Sequence, residues 1–169
     1  MTQLVGRFER PLFRFLVRLT GDAHLAEDLF QETFLRLHRA RNSYQPTQPL
    51  KPYLYRIALN AAHDARSKCV PLAAGSLAAS APPPLEQISS SAPQPAEDCQ
   101  LSETRTQVRA ALAKLPEAER EVVLLRIFEE LSFAEIAQIT KVPVPTAKSR
   151  MLYALRRLRP ALEGLRLEA

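Results

Sequence analysis

The sequence predicts an all-α fold: two small helical domains joined by a flexible linker. Three observations carry that reading. Apolar residues recur at helical spacing towards both ends of the chain. The 169 residues hold 4 glycines against 14 prolines, with few of the alternating runs that a sheet requires. Between the two periodic regions, residues 70–96 read VPLAAGSLAASAPPPLEQISSSAPQPA, in which 18 of 27 are Ala, Ser or Pro. Such a stretch cannot bury enough apolar surface to offset its ordering entropy, and the proline triplet at 82–84 keeps part of it extended. The division is therefore a domain over 1–68, a linker over 69–100 and a second domain over 101–169.

The elements follow in order. Phe8, Leu12, Phe15, Leu16 and Leu19 share one face of a first helix, with Pro11 as a start or a kink. Gly21 ends it, and Asp22 caps the next. That second helix buries Leu25, Leu29, Thr33, Phe34 and Leu37 and runs to about Arg41. After the polar stretch NSYQPTQP, a third helix over 51–66 packs Leu54, Ile57, Ala58, Ala61 and Ala65. In the second domain, Val108, Ala111, Leu112 and Leu115 mark one helix. LPEAER opens another, with Pro116 in its first position and Glu117 and Glu119 where the helix dipole favours acids. Its apolar residues are Val122, Val123, Leu125, Ile127 and Phe128. Ser132 and Glu135 have capping-box spacing, with Leu131 and Ile136 as a hydrophobic staple, so a short helix spans Phe133 to about Thr140. A last helix begins at Pro145 and runs to about Leu158, its two leading prolines marking a start and a stiffened turn.

Charge narrows the partners. The net formal charge is +5. Residues 1–68 hold eleven basic against six acidic residues, 69–100 none against three, and 101–169 twelve against nine. Residues 141–159 contain six basic residues and no acid. Two separate basic regions suit a polyanion such as nucleic acid. No apolar run approaches the roughly 18 residues needed to span a bilayer, and the N-terminus lacks a signal-peptide pattern, so a cytoplasmic location is expected. Cys69 and Cys99 have no metal-ligand spacing and read as incidental thiols. No nucleophile–base pair, phosphate loop or metal cluster is visible; no enzyme activity and no cofactor are expected.

Two constellations point to nucleic acid. The short helix, tight turn and basic helix of LSFAEIAQITKVPVPTAKSR (131–150) make a helix-turn-helix, whose second helix presents its N-terminal end to the major groove. Thr146, Lys148, Ser149, Arg150 and Leu152 form the leading edge, and Arg156, Arg157 and Arg159 lie by phosphates. Ala134, Ile136, Ala137, Ala147, Met151 and Leu155 make its small core. On the third helix, Tyr53, Arg56, Asn60 and His63 line one face, with Tyr44, Lys51 and Tyr55 nearby. Rings, an amide and cations together suit single-stranded nucleic acid. The second helix carries an acidic, amide-rich face: Glu27, Asp28, Gln31 and Glu32.

RLTGDAHLAEDLFQETFLRLHR (18–39), PLKPYLYRIALNAAHDARSK (49–68) and LPEAEREVVLLRIFEELSFAEIAQITKVPVPTAKSRMLYALRRLR (115–159) resemble the bacterial RNA polymerase sigma-70 family. The match is to its small extracytoplasmic-function (ECF) group. That resemblance implies a sigma2-like bundle and a sigma4-like helix-turn-helix domain. It makes Glu27, Asp28, Gln31 and Glu32 contacts to the clamp helices of the polymerase β′ subunit. It places Lys51, Tyr53, Arg56, Asn60 and His63 by the opened promoter −10 element. It gives Thr146, Lys148, Ser149, Arg150, Leu152, Arg156 and Arg157 to the duplex −35 element, with the helix-turn-helix domain also resting on the polymerase flap. It further implies an anti-sigma factor as partner. The family usually has Trp at Tyr53, an aromatic at Leu50, Gly at Lys141 and Pro145, Val at Ala147 and Arg at Tyr153, so base preference is expected to differ. Lys141 in particular is expected to take a left-handed or otherwise less comfortable conformation. The alternative reading is a stand-alone helix-turn-helix regulator that binds duplex DNA without polymerase, which would normally require a dimer surface.

Overall fold

A computed structural model describes residues 2–42, 49–69 and 98–166. Among these residues the structure is helical, with no strand: α1 (Thr2–Thr20), α2 (Ala23–Arg39), a 3-10 turn (Ala40–Asn42), α3 (Leu50–Cys69), α4 (Asp98–Ala113), α5 (Glu117–Val123), a π turn (Leu124–Phe128), α6 (Phe133–Thr140) and α7 (Val144–Arg166). Of the predicted linker over 69–100, residues 70–97 lie outside the described residues, as do Tyr44 and the side chain of Cys99; its ends are helical, with Cys69 closing α3 and Asp98 opening α4.

α1, α2 and α3 pack on one another; α4, α5 and α6 gather around α7. Leu12, Phe15, Leu16 and Leu19 are buried as their spacing predicts. Pro11 does not break α1, which continues through it from Thr2. Gly21 takes φ +76, a value that favours glycine, and its N–H closes α1 on the Val17 carbonyl at 2.9 Å. Asp22 then caps α2, accepting from the His24 and Leu25 N–H groups. Thr33 is fully buried in α2, and its hydroxyl donates to the Leu29 carbonyl at 2.6 Å. That bond makes the burial tolerable.

Several sequence expectations shift. Pro116 is the cap of α5 and not its first residue. α7 begins one residue before Pro145: the Pro143 carbonyl accepts the first helical bond, from Ala147 N–H at 3.1 Å. α7 also extends past Leu158, through Pro160, to Arg166. The face of α7 that packs on the rest carries Ala147, Ala154 and Leu158, with Met151 half-buried. Leu155, one position off that stripe, is 43% exposed, and Ala134 is exposed too. The predicted helix-turn-helix core was therefore wrong at both; Ala154, Leu158 and Ile139 take their place. Ile127 and Phe128 also miss the core, at 50% and 38% exposed. The cause is the π turn. It widens the helix at Leu124–Phe128 and rotates these two residues off the buried face.

The α6 capping box forms in full: Ser132 Oγ accepts from Glu135 N–H, and the Glu135 carboxylate accepts from Ser132 N–H at 2.8 Å. At the far end, Lys141 adopts the left-handed conformation, φ 54, ψ 41, that its turn position was expected to need. A left-handed residue with a Cβ costs roughly 1–2 kcal/mol, less the entropy that glycine loses on folding. Lys141→Gly should thus raise stability by about 0.5–1 kcal/mol. Urea unfolding would read this, and an unchanged or lower midpoint would contradict it.

Candidate nucleic-acid interface

The acidic face of α2 is set by helical geometry. Glu27, Asp28 and Gln31 are exposed. Glu32 differs. It pairs with Arg36 at 2.7 Å, and Arg36 bonds Asp64 of α3 at 2.6 Å. Both carboxyls are held below the usual carboxylate range, first by their hydrogen bonds to Arg36. Arg36 therefore ties α2 to α3, and Glu32, bound to that guanidinium, is only partly free to meet a partner. Sequence reasoning missed Leu35, which is 52% exposed. It lies four residues after Gln31, seven after Asp28 and three after Glu32, at the C-terminal end of the acidic face, one turn before His38 and Arg39. A leucine off the buried stripe at that spacing was the available signal.

On α3, Tyr53, Arg56 and Asn60 are half-buried and His63 is exposed. The Arg56 guanidinium lies over the Tyr53 ring, 5.1 Å from its centroid. Both residues line a groove whose opposite wall is Glu135, Gln138 and Ile139 of α6. Tyr55 must be struck from the stacking surface. It is fully buried, edge-on to Phe15 with ring centroids 5.0 Å apart. Its hydroxyl donates to the carboxylate of Glu129, and burial pushes its pKa far up.

The basic residues of α3 meet acids of the C-terminal half. The Lys51 ammonium donates to the Glu129 carbonyl and lies 3.7 Å from its carboxylate. His63 Nε2 is 2.6 Å from Glu121 Oε1 and 3.8 Å from Glu117 Oε1. Arg66 pairs with Glu117. His63, Glu117 and Glu121 are close enough to hold a metal ion. The charge around them argues otherwise: Arg66 takes one carboxylate, and Arg120 and Arg150 act on the acids electrostatically. With three guanidiniums already balancing two carboxylates, a dication gains little. This is an ion-pair junction.

Glu121 and Glu129 are both 4% exposed. Burial is the leading cause that raises each carboxyl above the usual range; His63 pulls Glu121 back, and Tyr55 and Lys51 pull Glu129 back. For a carboxyl raised by folding, its contribution is fully present below the ordinary value and is lost as pH rises through the raised one. Glu129→Gln keeps an acceptor for Tyr55 and removes the buried charge. Its stability relative to the unaltered chain should improve as pH rises from 5 to 8, as read by urea unfolding. A flat or opposite trend would refute the buried-charge account.

On α7 the predicted −35 residues separate into two groups. At about 100° per residue, Lys148, Ser149, Leu152 and Arg156 turn away from the Ala147–Ala154 stripe. Lys148, Leu152 and Arg156 are exposed, while the Ser149 hydroxyl donates to the Thr146 carbonyl at 3.0 Å. Thr146, Arg150 and Arg157 fall on the flank facing α5. Arg157 lies 3.2 Å from Glu119 there. Tyr153, not among the predicted contacts, is 52% exposed beside Leu152.

The model of Sigma-70 region 2 matches residues 4–68, and that of Sigma-70, region 4 matches residues 105–158. RNA polymerase sigma-H factor of Pseudomonas aeruginosa is 31% identical over 173 residues, covering 98% of this chain and 88% of that protein. ECF RNA polymerase sigma factor SigL of Mycobacterium tuberculosis is 35% identical over 167 residues, covering 98% and 90%. Among solved structures, the sigma factor RpoE of Bartonella quintana, in complex with the anti-sigma factor NepR, superposes with a TM-score of 0.71. It covers 96% of both chains at 24% identity, which speaks for the fold alone. With both sigma-70 regions matched in order, and relatives at this identity spanning almost the whole chain, this protein belongs to the sigma-70 family, in its ECF group.

Proposed function

We propose that the chain binds core RNA polymerase and directs initiation at promoters with two recognition elements. The N-terminal unit, 1–68, docks the polymerase clamp through α2 and meets the opened −10 element through α3. A linker over 69–100 joins it to the unit 101–169, whose α7 reads the −35 element as duplex. The observation that carries this is the pairing of two distinct nucleic-acid surfaces in one chain. One combines a ring, an amide and cations for unstacked bases. The other is a helix-turn-helix for a major groove. The linker sets their mutual effective concentration on one promoter.

The chain itself catalyses nothing in this reading; the polymerase performs nucleotide transfer. Its place is the cytoplasm, with DNA. No helix among the described residues is long and apolar enough to cross a membrane. The helix-turn-helix unit also rests on the polymerase flap in this reading. An anti-sigma factor is the expected antagonist. The test mixes the purified chain with sigma-free core polymerase and a promoter library. Specific transcripts from a subset of templates are expected. No initiation, together with DNA binding by the chain alone at moderate salt, would favour a stand-alone regulator.

A further inference from the structure

α1 carries a charged face that none of the surfaces above uses. Arg7, Arg10, Arg14 and Arg18 recur every three or four residues along it. At about 100° per residue they fall within about 80° of arc, in a stripe about 16 Å long. Arg7, Arg10 and Arg14 are exposed, and Arg18 is half-buried. The only acid in the helix, Glu9, lies across it from the stripe. Solvated helix faces elsewhere in this chain are built differently. Glu32 pairs with Arg36 on α2, and Glu163 with Arg159 on α7, each four residues apart. Among the described residues, no carboxylate forms a direct ion pair with an arginine of the α1 stripe. Burial, and after it the like charge of Arg14, lower the pKa of Arg18; Glu129 offsets part of this, and Arg109 of α4 adds to it. A face of like charge is unfavourable in the free chain and is relieved by a polyanion.

Two features select the polyanion. Phe8 and Phe13, the rings nearest the stripe, are partly buried and packed against the core. A single-strand platform needs open rings for unstacked bases. Guanidiniums without rings suit the sugar–phosphate backbone, whose phosphates they meet with two parallel hydrogen bonds. The second feature is place. Lys51, which stands at the start of α3, and Arg18 both act on the Glu129 carboxylate. The stripe therefore begins beside the α3 face proposed for the −10 strand and leads away from it along α1. We propose that the arginine stripe of α1 grips the backbone of duplex DNA adjoining the opened −10 element, as a third contact that is independent of sequence. The inference rests on the reading of α3 as the −10 face. Each strand of a duplex carries a phosphate about every 3.4 Å of axis, so the stripe spans about five of them. Such a contact adds affinity and fixes the path of the DNA without reading bases. It is complete within α1.

The test uses the full chain with Arg10→Gln and Arg14→Gln together, both at exposed positions. The control, Lys68→Gln with Lys114→Gln, removes the same charge from two exposed positions given no DNA role. The probes are a fluorescein-labelled, mixed-sequence duplex of about 20 base pairs and one of its strands alone, each titrated between about 50 and 200 mM salt. R10Q/R14Q should bind the duplex about tenfold more weakly than the control, and its slope of log affinity against log salt should be shallower by about 2. Its affinity for the single strand should match the control's. Duplex affinity equal to the control's would overturn the proposal and leave the stripe a solvated face. A larger loss on the single strand than on the duplex would overturn the choice of duplex. Weaker competition for sigma-free core polymerase, with DNA binding at the control's level, would make the stripe a polymerase contact and overturn the proposal as well. On promoters that the unaltered holoenzyme uses, R10Q/R14Q should lose backbone protection beside the −10 element in hydroxyl-radical footprints; unchanged protection would overturn the placement. No initiation by the unaltered holoenzyme, with the duplex defect of R10Q/R14Q present, would instead overturn the −10 reading of α3 and leave the grip of α1 on duplex DNA standing.

Discussion

Asp28→Arg should cost about 30- to 100-fold in affinity for core polymerase, because a like charge forced into a complementary interface costs several kcal/mol. The measurement is competition against a labelled sigma factor for sigma-free core. Asp28 is the right residue for structural reasons. It is exposed on α2 and engages none of the ion pairs that hold the helix to α3. The same reversal at Glu32 would break its bond to Arg36 and disturb the link to Asp64, so a loss there would mix docking with folding. Leu35→Ala gives an independent reading of the same face. Its side chain is half in solvent in the free chain, so truncation leaves stability almost untouched. An exposed leucine that a partner covers loses its buried apolar area on truncation, so affinity for core polymerase should fall. Unchanged affinity for Asp28→Arg, with circular dichroism and melting also unchanged, would remove polymerase docking from this face of α2.

Much of this was legible in the sequence because the informative signals were local. Helical period, caps and turn residues act over four or five positions, and they placed α2, α3 and α6 and the capping box of Ser132 and Glu135. The strained turn at Lys141 was expected only through the resemblance, which puts glycine at that position. What failed had two causes, local irregularity within a helix and distance along the chain. The π turn at Leu124–Phe128 sheds Ile127 and Phe128 from the core, yet its apolar residues read as an ordinary helix continuing. Tyr55 was grouped with the stacking residues. Its actual partner, Glu129, is 74 positions away, beyond a segment with no periodic signal. The junction of His63 with Glu117 and Glu121 was invisible for the same reason: each acid alone resembles a solvated helix residue. Leu155 was lost to a register error. The packed stripe of α7 runs through Ala147, Ala154 and Leu158, and small alanines give a weak apolar signal against a neighbouring leucine.

Lys148→Ala should change which −35 sequences are used more than it changes how tightly polymerase is held. A side chain that donates to a base edge discriminates against the wrong base by about 1–3 kcal/mol. Loss of that contact would flatten preference at one −35 position by roughly 10- to 100-fold. Phosphate contacts behave differently, weakening binding evenly across sequences and reducing its salt dependence. The proposed roles follow position on α7. Lys148 lies four residues before Leu152, on the side turned away from the packed stripe and near the helix start. Arg156 lies two turns further on, exposed, where phosphates would run. Arg157 already leans on Glu119 at 3.2 Å and has less freedom to reach DNA. Selection from a randomised −35 library with reconstituted holoenzyme measures the difference. Lys148→Ala should relax one position of the selected motif; Arg156→Ala should leave the motif intact and lower total initiation, with a shallower salt dependence. An unaltered motif for Lys148→Ala would contradict base reading by this residue, and the exposed edge formed by Leu152 and Tyr153 would then be the surface to vary.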